Sequence, residues 1–196
     1  MTDDTTLDIL IGHDPDTWVV LPSAWPHDGH RAPRSWVKAT VRSVVDRSDT
    51  STRPARTWLA EVLTALARWS PDDERRYLFL PDITTPPSLL RVQYSHSHGE
   101  RDEALRAMIF DSDLPAVEPP VPEPVETADL GPGLMAVRYC LVGDDSDSLH
   151  ATLVHAFRVG PYDIRISCQV GSPDGVPVLL PYVDEFIGGI SLVPAT

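Results

Sequence analysis

Lysine is almost missing from this chain. Lys38 is the only one, and arginine carries the remaining side-chain positive charge. We read that as the bias of a GC-rich genome rather than as chemistry. Positive charge is scarce altogether: 16 basic residues stand against 29 acidic ones, a formal net charge of −13. Such a surface repels phosphate backbones and anionic lipid, so nucleic acid and membrane are excluded as expected partners. A basic protein partner fits the charge, with the chain a monomer or a homodimer. Long apolar runs are missing too. None approaches the ~20 residues needed to span a bilayer. The opening MTDDTTLDIL lacks the basic and apolar regions of a secretory signal, and the expected address is the cytoplasm.

Cysteine is nearly as rare. Cys140 and Cys168 fall in the first and third strands of a predicted meander, about 10 Å apart at normal strand spacing. That is too far for a disulfide. Neither occupies a turn or helix start that would stabilise a thiolate, so both are expected as small core residues. Tryptophan is absent from most of the chain: Trp18, Trp25, Trp36, Trp58 and Trp69 all lie near its beginning. Large rings need large cover, so the amino-terminal helices are expected to form a layer packed on a sheet. Also missing are GxSxG, GxGxxG, HExxH and P-loop motifs. No cofactor and no catalytic residue is assigned.

What is present is organised around residues 134–170. Three runs rich in β-branched and aromatic residues are separated by short turn clusters, the signature of an antiparallel meander. In the third run Tyr162, Ile164, Ile166, Cys168 and Val170 alternate with Asp163, Arg165, Ser167 and Gln169. Strict period-two alternation predicts one buried face and one wetter face. The first two runs are apolar on both faces, which predicts cover on both sides. Gly160-Pro161 reads as a tight hairpin turn, and residues 143–148 as a longer acidic loop.

Around the meander the pattern predicts short strands at 7–11, 18–21, 76–80 and 89–95, with a loop at 22–33. Residues 36–46 read two ways: the valines favour a strand, while apolar positions paired as 36/37, 40/41 and 44/45 favour helix, which is the reading adopted. A second helix follows Arg53-Pro54, its stripe being Trp58, Leu59, Val62, Leu63, Leu66 and Trp69. Residues 100–110 read as a short helix. Residues 176–190 read as another, with Pro181 in its first turn and Gly188-Gly189 at its end, and 190–193 as a final edge strand. Residues 113–129 hold five prolines and five acids. Proline and like charge extend a chain, so this is expected to be a surface connector or partly disordered.

The resulting expectation is an α+β fold. A central antiparallel sheet carries helices on its faces, as an α/β/α-like sandwich, in a single domain over 1–196 with 113–129 as a connector inside it. The segment MAVRYCLVGDDSDSLHATLVHAFRVGPYDIRISCQV, followed by VLLPYVDEFIGGISLV, resembles the carboxy-terminal half of PsbP-like domains and of small actinobacterial proteins. The resemblance covers about the last third of the chain. It implies a central antiparallel sheet sandwiched by helices, with binding or accessory roles. It implies no shared catalytic constellation, so it transfers no site residue.

Residues with chemical potential are few. His27 and His30, and His96 and His98, are the concentrated ligand types, and two imidazole pairs could hold zinc or nickel. Solvated loop residues are the favoured reading of both pairs, so no metal is assigned. Asp144, Asp145 and Asp147 lack the glycine and distal glutamate of an EF-hand. His155 is expected as a hydrogen-bonded core residue. The leading functional reading is therefore a non-enzymatic interaction or accessory module that binds another protein. The alternatives are a metal-dependent or small-molecule enzyme, with its pocket between the sheet and the Trp-rich helices, and a structural homo-oligomer.

Overall fold

The computed structural model describes residues 7–69, 71, 74–112, 114–142 and 148–194. The predicted acidic loop at 143–148, apart from Ser148, lies outside them. The chain forms two compact units: Met1–His13 with Tyr94–Thr196, and Asp14–Gln93.

The Asp14–Gln93 unit contains β2 (Trp18–Leu21), α1 (Pro33–Asp46), α2 (Arg53–Arg68), β3 (Glu74–Phe79) and the start of β4 (Ser88–His96). The two helices form where predicted, each with a proline in its first turn, where the missing N–H has no intrahelical partner to lose. Thr52 caps α2 by accepting the Ala55 N–H at 3.3 Å. Strands β2, β3 and β4 pair antiparallel in that order. Period two sends Val19, Leu21, Leu78, Leu80 and Leu89 to one face, where they pack with Trp36, Val37, Val44, Leu59, Leu63 and Ala67 of the helices. The buried stripe of α2 is thus Leu59, Leu63 and Ala67. Trp58 and Trp69, predicted inside, are 45% and 46% exposed. The predicted stripe contained two adjacent rows, and the sheet takes the row whose residues are small enough for close packing. Trp69 has a different occupation: the buried Arg76 guanidinium lies 5.0 Å from its ring centroid. Arg76 also donates to the Pro22 carbonyl at 2.9 Å and the Leu66 carbonyl at 3.2 Å.

The other unit holds β1 (Leu7–Ile11), α3 (Arg101–Phe110), β5 (Glu123–Thr127), β6 (Gly131–Val142), β7 (Ser148–Val159), β8 (Tyr162–Val170), α4 (Val176–Gly188) and β9 (Ile190–Pro194). Here the predicted meander is present, with neighbours in the order β8-β7-β6-β5. Gly160 at φ 55° followed by proline, whose φ is held negative, gives the sense of a type II′ hairpin. Along β7, Val154 and Ala156 meet Leu105 and Ile109 of α3. Their neighbour His155 points the opposite way, to the side of Asp184 on α4. Helices therefore cover both faces of this sheet. The pairing of β1 with β9 joins the two ends of the described chain. Cys140 and Cys168 are buried free thiols on the strands flanking β7.

Three further expectations change. Residues 123–127, predicted as connector, form an edge strand paired with β6. An edge strand tolerates Pro124, because only one of its sides is needed for the ladder. Pro181 lies inside α4 rather than in its first turn, because the helix begins at Val176. The face of β8 predicted to be wet is covered: Asp163 is 8% and Ser167 1% exposed. Asp163 is held there by a bidentate Arg158 at 2.6 and 2.9 Å and by the Ser97 hydroxyl at 3.1 Å.

Candidate functional site

The four histidines singled out above go to different structural jobs. His27 and His30 close a four-residue turn, each N–H donating to the other's carbonyl at 2.9 and 2.8 Å. Asp28 and Gly29 between them have φ of 44° and 76°, the type I′ combination that Asp-Gly favours. The pair is thus arranged by its backbone. His96 is exposed and stacks on Tyr162, ring centroids 5.0 Å apart. His98 is exposed, and its carbonyl accepts from Arg158 at 3.0 Å. Among the described residues no group of three or more His, Cys, Asp or Glu side chains is arranged to hold a metal.

His155 is not the hydrogen-bonded residue expected. It is 2% exposed, its Nδ1 has no hydrogen-bond partner among the described residues, and its Nε2 stands 3.7 Å from Asp184 Oδ1, beyond hydrogen-bond range. Burial pushes its pKa down to about 4, so the ring is neutral at pH 7. Burial raises the pKa of Asp184. No sequence signal marks this approach, since the two residues lie on different elements with no motif linking them.

A groove of about 690 Å³ lies between α1 and α2 in the Asp14–Gln93 unit. Its lining follows from helix periodicity. On α1, positions 34 and 38 and positions 37 and 41 form two i, i+4 rows; on α2, positions 60, 64 and 68 form a third. The floor is Val37, Val41 and Ala60, and the rim carries Arg34, Lys38 and Arg68. All three cations are exposed, and among the described residues none has an acidic partner. The sequence reading placed a pocket between the sheet and the Trp-rich helices. That interface is filled by the buried cluster around Trp36, Leu59 and Leu78, and the groove lies between the two helices instead.

No family model matches the chain, and no curated protein matches it. Among solved structures, the chain is similar to LpqN of Mycobacterium tuberculosis, described as involved in cell envelope biogenesis. The TM-score is 0.55 at 8% identity, over 98% of this chain and 87% of that one. It also aligns with Mog1p, a Ran-binding protein of Saccharomyces cerevisiae, at a TM-score of 0.40 and 10% identity, over 64% of this chain and 82% of that one. The LpqN likeness shows a shared α+β fold. Among the described residues, no helix is long and apolar enough to cross a membrane.

Proposed function

We propose that this chain is a non-catalytic interaction module that binds a segment of another protein in the α1–α2 groove. The observation that carries this reading is an apolar floor rimmed by three cations with no acidic partner among the described residues, in a chain of net charge −13. The segment that fits is acidic and amphipathic. The net charge alone points to a basic partner, but charges more than ~8 Å away are largely screened at physiological salt. At the groove, Arg34, Lys38 and Arg68 are the near charges and set the local sign. Positions 33 to 41 of α1 span about 12 Å at 1.5 Å per residue, room for two turns of a docked helix. The resemblance of the last third to PsbP-like domains leans toward the same class of role.

A fluorescein-labelled twelve-residue helical peptide of leucine and glutamate tests this, with a leucine–lysine peptide of the same pattern as control and anisotropy as the readout. The acidic peptide is expected to bind, more weakly as salt is added. Three exposed ion pairs at roughly 0.2–1 kcal/mol each put the loss in the triple variant Arg34→Glu, Lys38→Glu, Arg68→Glu on the order of tenfold. Binding of the lysine peptide alone, unaffected by the triple change, would return the partner to a basic protein and sink the groove reading.

A further inference from the structure

A second cavity, of about 310 Å³, lies in the other unit between β5, β7 and α4. It does not depend on the groove reading. Its construction starts at Gly133. In the register of the sheet Gly133 pairs with Phe157 on one side and with Val125 on the other. A Cβ at position 133 would clash with the Cδ1 and Cε1 edge of the Phe157 ring and lie 2.6 Å from the Ala156 carbonyl oxygen. Glycine therefore lets the Phe157 ring lie down over β6. That opens space above it, and Val125 and Thr127 of β5 line the same opening. Two residues back along β7, His155 shares the face of Phe157, and α4 closes the far side with Asp184 and Ile187.

Phe157, Val125 and Ile187 are apolar. The polar end is a neutral imidazole and the Asp184 carboxylate 3.7 Å apart, and the exposed Glu126 adds a second carboxylate to the lining. Thr127 already uses its hydroxyl oxygen to accept the Leu130 N–H at 3.1 Å. No arginine or lysine lines the space. His155 Nε2 and Asp184 Oδ1 stand too far apart to bond each other, so in a ring 2% exposed the Nε2 edge facing the carboxylate gains from a hydrogen-bond donor placed between them. The charge at the polar end is negative, so that donor tolerates or carries positive charge. Beside an aromatic ring, an ammonium group also gains from the ring face. The volume is at the lower end of small-molecule sites, which limits the body to a few apolar carbons or one ring.

We propose that this cavity is a binding site for a small primary amine with an apolar body, its ammonium group at the Asp184 carboxylate and the His155 imidazole and its body on Phe157. Because burial keeps His155 uncharged at pH 7, the imidazole offers no repulsion to the cation.

The probe is 2-phenylethylamine, titrated into protein carrying ¹³C-labelled histidine, with 3-phenylpropionate as the size-matched anion. The amine is expected to shift the ring resonances of His155 saturably while those of His27, His30, His96 and His98 stay still. The propionate should leave all of them unchanged. Asp184, half outside, can be changed without emptying the core, and Asp184→Asn should weaken the amine by about tenfold or more, the value of a charge-assisted hydrogen bond. A Gly133→Ala chain that still folds should lose the shift as the ring is pushed upward. Equal binding of the two probes, a shift that survives Asp184→Asn, or no His155 shift at saturating amine would each overturn the proposal. The peptide anisotropy experiment is independent of all three outcomes.

Discussion

Burial of His155 between β7 and α4 lowers its pKa from 6.5 to about 4, and this makes stability depend on pH in a defined direction. The unfolded chain binds the proton more tightly than the folded one, so the contribution is complete above the unfolded pKa and is lost as pH falls through 6.5 toward 4. Between pH 7 and pH 5 the expected loss is about 2 kcal/mol. Asp184 works against it: its raised pKa adds stability as pH falls through that value. Replacing the ring by His155→Leu removes the first effect and leaves the second. Urea midpoints at pH 7 and pH 5 should therefore differ clearly in the parent chain and little in the variant. Equal pH slopes in the two would mean that His155 is solvated in the folded state. The sequence pointed to a buried His155 through the alternation of β7. It could not show the missing partner, because satisfaction of a nitrogen depends on which distant element arrives opposite it. Trp58 and Trp69 mislead for the complementary reason: two helical rows were equally apolar, and only the sheet chooses between them.

Elements are tied down in this fold by arginines reaching carbonyls. The end of α3 shows it best. Its last turns leave carbonyls without intrahelical donors, and these are met from the sheet. Arg138 of β6 donates to the Asp111 carbonyl at 2.5 Å, and Arg165 of β8 donates to Asp111 and Met108, both at 2.9 Å. Arg47 does the same for the Leu80 and Pro81 carbonyls at 2.7 and 2.9 Å, fastening the end of α1 to the chain leaving β3. The two contacts on α3 are not equivalent. Arg138 is 5% exposed, so Arg138→Ala leaves a void and buried acceptors together, and we expect it to cost about 3 kcal/mol. Arg165→Ala should cost about half as much, since water can reach part of its site. Thermal melts followed by circular dichroism would rank them, and an Arg138 variant as stable as the parent would show that the clamp contributes nothing net. These arginines are also why the outer face of β8 looked wet: the alternation of charge was read correctly, but those charges were committed to α3 and to Arg158 rather than to solvent. The helices themselves were legible because 3.6-residue spacing and first-turn prolines are local signals. The edge strand β5 was not, because proline and acid content describe an edge strand and a loose connector equally well.

At the scale of the whole molecule, the segment 113–129 decides between a chain that comes apart when cut and one that does not. The pattern predicted a soft connector throughout. The structure divides it. Val117 is held by its N–H on the Tyr139 carbonyl at 2.8 Å, residues 123–127 are paired to β6, and between them 118–122 form no strand or helix. A brief digest with a broad-specificity protease should therefore cut between α3 and β5 and spare 123–127, because a proteolytic site must leave its hydrogen bonds to enter a protease. Such a cut would put β1 and α3 on the leading fragment and β6, β7, β8, α4 and β9 on the trailing one. Those pieces belong to one compact unit. They share the β1–β9 pairing, the burial of Leu105 and Ile109 against Ala136, Val154 and Ala156, and the arginine contacts to α3. Each buried leucine or isoleucine contributes roughly 1.5–3 kcal/mol, so the core contacts alone outweigh the loss of one peptide bond's tethering. The nicked protein is expected to elute from gel filtration as one species and to separate only in denaturant. Two folded fragments eluting apart in native buffer would show that β1 and α3 are not integral to that unit, and that the chain is divided somewhere other than at its compact units.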